Sequence, residues 1–160
     1  MQANNDQQQQ QQLQKNRMMI SNSNNNKRKK IDFCQMEIFK KFQNPYYCVI
    51  SNDEYDFICH RIFIMAMSDY FRSLFDQTED YYDYCRKKIP RIYLKQFDNH
   101  TLESFIKFAY TLRLEHDDDD SLETLEIMKK LLEFSNYINC VEMMEYLQMK
   151  MMNFHLKNEK

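Results

Sequence analysis

The chain has 160 residues, enough for one domain with a sizeable core, and 43% of them are hydrophobic and 14% aromatic. It contains no glycine, which excludes the phosphate-binding loops, dinucleotide-binding turns and nucleophile elbows that need positive φ or close approach to a ligand. The net charge is −2, but residues 1–30 carry six basic side chains and one acidic side chain, so residues 31–160 are acidic overall. An acidic folded domain is unlike a direct nucleic-acid binder, whose surface is basic.

Residues 1–30 are Gln- and Asn-rich, of low complexity, and cannot bury a core. We predict that they form a disordered tail, followed by one domain at 31–154 and a short tail at 155–160. The polyglutamine run is more typical of a tolerated repeat expansion than of a coiled coil or an aggregating segment. The basic cluster at 27–30, Lys-Arg-Lys-Lys, is a candidate signal for nuclear entry.

The first predicted element is an amphipathic helix over 31–43. Apolar side chains recur there at helical spacing, and Asn44-Pro45 ends the helix because a residue before proline disfavours the helical conformation. The apolar face consists of Ile31, Cys34, Ile38, Phe39 and Phe42.

A β-hairpin is predicted next. Residues 46–51 form a near-continuous apolar strand, and 55–59 alternate in the manner of a strand with one buried face. Asn52 and Asp53 suit the turn between them, because both residue types tolerate the left-handed backbone conformation.

A third strand is predicted at 91–97, with Ile92 and Leu94 pointing inward. The segment before it, 76–90, is polar and tyrosine-rich and is predicted to be a loop. The sequence therefore predicts a small three-stranded sheet.

Two short helices are predicted between the hairpin and this loop. Ser68-Asp69 separates them, since both residue types cap helix starts. The apolar residues at helical spacing are Ile62, Phe63, Met65, Ala66, Met67, Tyr70, Phe71, Leu74 and Phe75.

Three longer helices complete the predicted order. They are placed at 99–112, at 121–138 and after Asn139, where Asn139-x-x-Glu142 matches a capping box. The last helix is rich in methionine near its end, which is typical either of an adaptable binding face or of core and a frayed terminus.

No arrangement of side chains points to catalysis or to a metal, and we predict neither an enzyme nor a cofactor. The four histidines lack metal-ligand spacing, and the five cysteines include no C-x-x-C pair. We expect reduced, buried thiols in an intracellular protein, since neither a signal peptide nor a membrane-spanning run is present.

Two further polar segments are better explained as solvated loops. The acidic run at 117–120 lacks the alternating ligands and turn glycine of a calcium loop. The segment 80–84, Asp-Tyr-Tyr-Asp-Tyr, could alternatively be a tyrosine-kinase target.

One stretch carries a family resemblance. Residues 57–75 match, without a gap, the pattern F-x-x-H-R/K-x-x-L/I-x-x-x-S-x-Y-F-x-x-x-F of the BTB/POZ domain, and a weaker resemblance extends from Ile31 to Phe154. It implies an α+β fold, in which a small sheet packs against a cluster of helices. The motif residues with structural roles are Phe57, His60, Arg61, Ser68, Tyr70 and Phe71, with His60 resembling the buried histidine of the strand–helix corner.

The resemblance implies a homodimerising protein–protein interaction module, similar to Kelch-like and speckle-type BTB proteins. Its partners would be a second copy, other BTB proteins and a cullin scaffold, as a substrate adaptor of a cullin-RING ubiquitin ligase in the cytoplasm or nucleus. The alternative is a transcription-associated dimer that recruits a regulatory complex in the nucleus. We expect neither direct nucleic-acid binding nor membrane binding.

The resemblance also implies two contact surfaces. The dimer would form through helix 31–43, so Ile31, Cys34, Ile38, Phe39 and Phe42 are its candidates. The cullin would contact the second short helix through Tyr70, Ser73 and Leu74. Cullin binders usually add a hydrophobic-x-Glu motif in the next loop, and this chain lacks that motif. Tyr82 and Tyr84 are then the candidate anchors in this loop, and we expect cullin binding to be weak.

Other departures from the family bear on function. Tyr47 stands where the family commonly has Asp in the first strand, which weakens the case for the charged pocket of the transcriptional members. Neither Kelch repeats nor a MATH domain accompanies the predicted domain. We therefore expect either the dimer partner or another protein to contact the substrate, unless the chain is a short paralogue or comes from a truncated gene model.

Overall fold

The computed structural model describes residues 28–37, 46–114 and 121–158. Five strands and five α-helices occur in these ranges, together with a 3₁₀ turn at Phe33–Gln35. The strands are β1 (Lys29–Asp32), β2 (Tyr47–Ser51), β3 (Tyr55–His60), β4 (Tyr81–Tyr84) and β5 (Lys87–Tyr93). The helices are α1 (Arg61–Met67), α2 (Asp69–Gln77), α3 (Asn99–Thr111), α4 (Leu122–Tyr137) and α5 (Val141–Asn158).

The strands form one sheet in the order β1-β3-β2-β5-β4. The predicted hairpin is confirmed: β2 and β3 pair antiparallel with Cys48 opposite Cys59. The Asn52 side chain holds its turn, because its Oδ1 accepts the backbone N–H groups of Glu54 at 3.0 Å and Tyr55 at 2.8 Å. β1 joins the edge parallel to β3, and β5 lies parallel to β2.

The structure has five strands where three were predicted, and the strand predicted at 91–97 corresponds to β5, which begins and ends earlier. β5 ends at Tyr93 instead of running over 91–97, and the predicted loop 76–90 contains the end of α2 and all of β4. β4 and β5 meet at a two-residue turn in which Cys85 and Arg86 have φ of 48° and 64°. Glycine or asparagine normally marks such a turn, so the sequence carries no signal for it.

The prediction of a helix over 31–43 was wrong for the described part. Ile31 belongs to β1, and Cys34 lies in the 3₁₀ turn. Pairing with β3 and burial of Phe33 outweigh the helical spacing, since the Phe33 ring is fully buried between Phe57 and Tyr110. Ile38, Phe39 and Phe42 lie outside the described residues, as does the acidic run at 117–120.

The central strands β2 and β3 are buried on both faces, so β3 does not have the single buried face that was predicted. Phe57 points to the main core shared with the helices, whereas Ile58 points to a smaller second core. The main core is built on rings such as Phe71, Phe105 and Phe134, all fully buried. The second core comprises Cys34, Val49, Ile58, Tyr84 and Ile89.

The helix boundaries follow capping side chains in three cases. Ser68, Asp98 and Ser121 accept the backbone N–H three residues ahead and begin α2, α3 and α4, close to the predicted positions. The predicted capping box at Asn139 was wrong. Asn139 has φ of 52° and lies in the turn after α4, while α5 begins at Val141.

Both domain boundaries differ from the prediction. The boundary placed at residue 30 cuts β1, in which residues 29 and 30 already pair with β3. At the other end α5 continues past Phe154, which is its last buried side chain. Among the described helices, none combines the length and the hydropathy that a membrane span requires.

Candidate protein-interaction surfaces

The corner between β3 and α1 is fixed by a buried polar cluster around His60. Tyr110 Oη accepts the backbone N–H of His60 at 2.7 Å and lies 2.7 Å from its Nδ1, and Cys34 Sγ is 3.7 Å from the same nitrogen. Burial raises the pKa of the Tyr110 hydroxyl, so it stays protonated. The His60 side chain thus lies within the corner itself, where its partners include the Tyr110 hydroxyl and the Cys34 thiol.

A second buried contact anchors the junction of α1 and α2 to the end of α4. The Ser68 hydroxyl accepts the N–H of Phe71 at 3.3 Å and donates to the carbonyl of Ile138 at the end of α4. Of the predicted structural residues, Phe57, His60, Ser68 and Phe71 are buried, whereas Arg61 and Tyr70 are partly exposed. The motif thus holds two short helices against the sheet with their outer faces free.

The outer face of α1 forms an apolar groove of about 360 Å³, here called the α1 groove. Ile62 and Tyr46 are its most exposed members, at 52% and 69%. The groove is lined by Tyr46, Arg61, Ile62, Met65, Ala66 and Arg72.

The two arginines at the rim of the α1 groove each have a carboxylate from this chain. Arg61 lies 3.3 Å from Asp76, and Arg72 lies 3.0 Å from Asp69. Arg61 also packs on the Phe75 ring, with its guanidinium carbon 5.0 Å from the centroid. With the rim charges paired, the remaining wall of the groove is apolar.

A second groove, of about 440 Å³, lies between α2, β5 and the end of α4 and is here called the α2 groove. Tyr70 and Leu74 line it from α2, and Tyr137 lines it from α4. The hydroxyl oxygens of Tyr70 and Tyr137 are 2.9 Å apart. Burial, together with this hydrogen bond, raises the pKa of Tyr70 to about 12, so the Tyr70 hydroxyl stays protonated at physiological pH.

The structure describes two of the five predicted dimer residues, and neither lies on an open surface. Ile31 is half-buried against the main core, and Cys34, only 5% exposed, belongs to the second core. Within the described ranges, an open apolar face lies on α1. The sequence carried a signal for it, because α1 is apolar on every side, and a short helix of that kind exposes one face unless a partner covers it.

The predicted cullin contacts fall into two groups. Tyr70, Ser73 and Leu74 share one face of α2, as predicted. Tyr82 and Tyr84 were predicted as loop anchors, but they lie in β4 and pack on the second core, on the opposite face of the sheet. Tyr84 is 6% exposed and cannot serve as an anchor in this conformation. Tyr137, which sequence reasoning missed, completes the α2 groove instead.

No group of three or more metal-ligating side chains occurs within the described ranges. Cys34, Cys48, Cys59 and Cys140 are buried, and Cys85 is exposed.

Comparison with known proteins agrees with the pattern of residues 57–75. The model of the BTB/POZ domain family matches residues 39–148, more than half of the chain. The chain belongs to the BTB/POZ family. It therefore carries a protein–protein interaction domain, with the α+β fold that the resemblance implied.

Solved structures support the fold of this BTB/POZ chain. One similar structure, the BTB domain of zebrafish PATZ1, has a TM-score of 0.51 and 17% sequence identity, covering 71% of this chain and 81% of that one. No curated protein is significantly similar to the chain in sequence.

Proposed function

We propose that this BTB/POZ domain is a homodimerising, non-enzymatic module that associates through the α1 groove. The observation that carries the proposal is the open apolar face of α1, with Ile62 at its centre. Self-association is general among BTB domains, which favours a second copy as the occupant.

The charges of the groove fit a second copy. Because Arg61 and Arg72 are paired within the chain, docking the same face of another copy brings apolar surface together without leaving unpaired charge. A two-fold axis through α1 would pair each groove with the same groove of its partner. One substitution therefore changes the interface twice.

The experiment compares two matched substitutions of exposed apolar residues by sedimentation. Ile62→Asp places two buried carboxylates in the proposed interface, and we expect it to weaken self-association by about a hundredfold or more. Leu122→Asp is the control, since Leu122 is 76% exposed at the start of α4, outside the groove. Equal effects of the two substitutions would contradict this interface.

We further propose that the module is an adaptor for a cullin scaffold, which it contacts through the α2 groove. Tyr70, Ser73 and Leu74 supply a mixed hydrophobic and small-residue face, and the hydrogen-bonded Tyr70–Tyr137 pair supplies hydroxyl groups. Tyr82 and Tyr84 provide no anchor on this side of the sheet. We therefore expect weak binding.

Calorimetric titration of a cullin N-terminal domain tests the adaptor function. Ser73→Arg adds a bulky charge to an exposed position on α2 and is expected to abolish the binding heat. Asn153→Arg adds the same charge to an exposed position on α5 and is expected to bind like the unmodified chain. Absence of heat with the unmodified chain refutes the adaptor function, and binding by Ser73→Arg refutes the surface.

A nuclear, transcription-associated dimer is the alternative, and one observation disfavours it. Tyr47, which stands where the family commonly has Asp, lies half-buried with its ring 5.4 Å from that of His60 and 5.3 Å from that of Tyr84. Arg61 is paired with Asp76 instead of a carboxylate from β2. We propose a cytoplasmic or nuclear location for the adaptor.

A further inference from the structure

The basic run at 27–30 is partly built into the sheet. Lys29 and Lys30 are the first two residues of β1, and the N–H of Lys29 donates to the carbonyl of Glu54 at 2.7 Å. Arg28 directly precedes the strand, and Lys27 lies outside the described residues. Three of the four basic residues are therefore held at a sheet edge.

Each of these three side chains contacts a carboxylate or an aromatic ring of the domain. The Arg28 guanidinium lies 3.8 Å from Asp56 and 5.0 Å from the Tyr93 ring centroid. Lys29 and Lys30 extend over the rings of Tyr55 and Tyr84, at 5.4 and 5.3 Å. Lys30 also lies 3.9 Å from Asp32.

The attachment is strong at one end of β1 and weak at the other. Phe33, fully buried, and Ile31, half-buried on the main core, fix the end that continues into the domain. The side chains of residues 28–30 are partly or fully exposed, although Asp56 and Tyr84 beneath them are buried. Asp56 keeps Ser51 and Arg91 as partners when Arg28 leaves, and the ends of edge strands open at low cost. The basic residues can therefore detach while the core stays intact.

We propose that residues 28–30 of the basic run are a binding segment for a nuclear-import receptor, and that the attachment of these residues to the sheet withholds them. A receptor for extended Lys- and Arg-rich segments must offer carboxylates and aromatic rings, which are the groups the sheet already provides. The sheet and the receptor therefore compete for the same side chains. The proposal is independent of the dimer and of the cullin contact.

A substitution in β1 can release the run without changing a basic residue. In a parallel ladder alternate residues bond to the neighbouring strand, so Ile31 is the next donor toward β3 after Lys29. Ile31→Pro removes that N–H, whereas Ile31→Val keeps it and nearly all of the side chain. Tyr93→Leu, at a site 40% exposed, is a second releasing substitution that removes the ring beneath Arg28.

The experiment measures the affinity of a purified nuclear-import receptor for a synthetic peptide of residues 21–31 and for the full chain with each substitution. We expect the peptide to bind about tenfold more tightly than the unmodified chain or Ile31→Val, and Ile31→Pro to recover most of that difference. A thermal melt shows whether Ile31→Pro folds, and if it does not, Tyr93→Leu decides.

Three results overturn the proposal. A peptide that does not bind shows that the run is no receptor segment. A full chain that binds as tightly as the peptide shows that the sheet does not withhold it. A folded releasing variant that binds no more tightly than the unmodified chain shows that attachment to the sheet is not the restraint.

Discussion

Removal of the Ser68 hydroxyl tests the contact that anchors the junction of α1 and α2 to the end of α4. In Ser68→Ala, α2 loses its N-cap, which costs about 1 kcal/mol. The carbonyl of Ile138 also loses its buried donor, which costs roughly 1–3 kcal/mol more. The expected loss of unfolding free energy is therefore about 2–4 kcal/mol, since Ser68 is only 3% exposed and water cannot replace the hydroxyl.

Ser121→Ala is the matched control for this substitution. Ser121 caps α4 in the same way, accepting the N–H of Thr124 at 3.1 Å, but it is half-exposed. Its loss is expected to cost about 1 kcal/mol. Thermal and urea unfolding measure both, with a fall in Tm of about 10 °C for Ser68→Ala and about 4 °C for Ser121→Ala. Equal losses would refute the role of the buried Ile138 contact.

Two further predictions follow from the titratable groups. Burial would raise the pKa of Asp98, but its hydrogen bonds to Thr101 and the ammonium of Lys130 outweigh burial and lower the pKa. Ionised Asp98 therefore stabilises the fold above its unfolded pKa of about 3.8. The difference in unfolding free energy between the unmodified chain and Asp98→Asn, measured in urea, should shrink as the pH falls through the lower folded pKa. A gap that widens on acidification would contradict the sign. Cys85 is the one exposed cysteine, and burial raises the pKa of Cys34, Cys59 and Cys140. A thiol-specific disulfide reagent should therefore label one thiol rapidly in the native chain and none in Cys85→Ser. Rapid labelling of Cys85→Ser would contradict the burial of the other thiols.

The parts of the fold that were predictable from the sequence are those that local chemistry decides. Asn52 at the hairpin turn and Ser68 at the start of α2 satisfy backbone groups within three residues of themselves. The long helices α3 and α4 combine a cap with sustained apolar periodicity, so their limits were predicted to within about a residue or two.

The parts that were not predictable depend on contacts distant in sequence. Residues 31–34 have helical spacing, but pairing of Ile31 with Phe57 decides their conformation. β4 was missed because its turn uses Cys85 and Arg86 at positive φ in a chain without glycine. Local propensity carries no information about either.

The candidate surfaces were predicted in part for the same reason. Tyr70, Ser73 and Leu74 lie within one helix, and helical periodicity places them on one face. Tyr137 joins Tyr70 across 67 positions of the chain. Tyr46 meets Ile62 in the α1 groove only because β2 begins beside α1. Surfaces assembled from different elements require the fold.

The most direct test of the central claim is the mass of the unmodified chain in solution. Sedimentation equilibrium over a range of concentrations should give twice the 19.8 kDa mass of the chain, with dissociation only on dilution. A mass of 19.8 kDa at tens of micromolar would contradict the claim that the α1 groove is an interface between two copies.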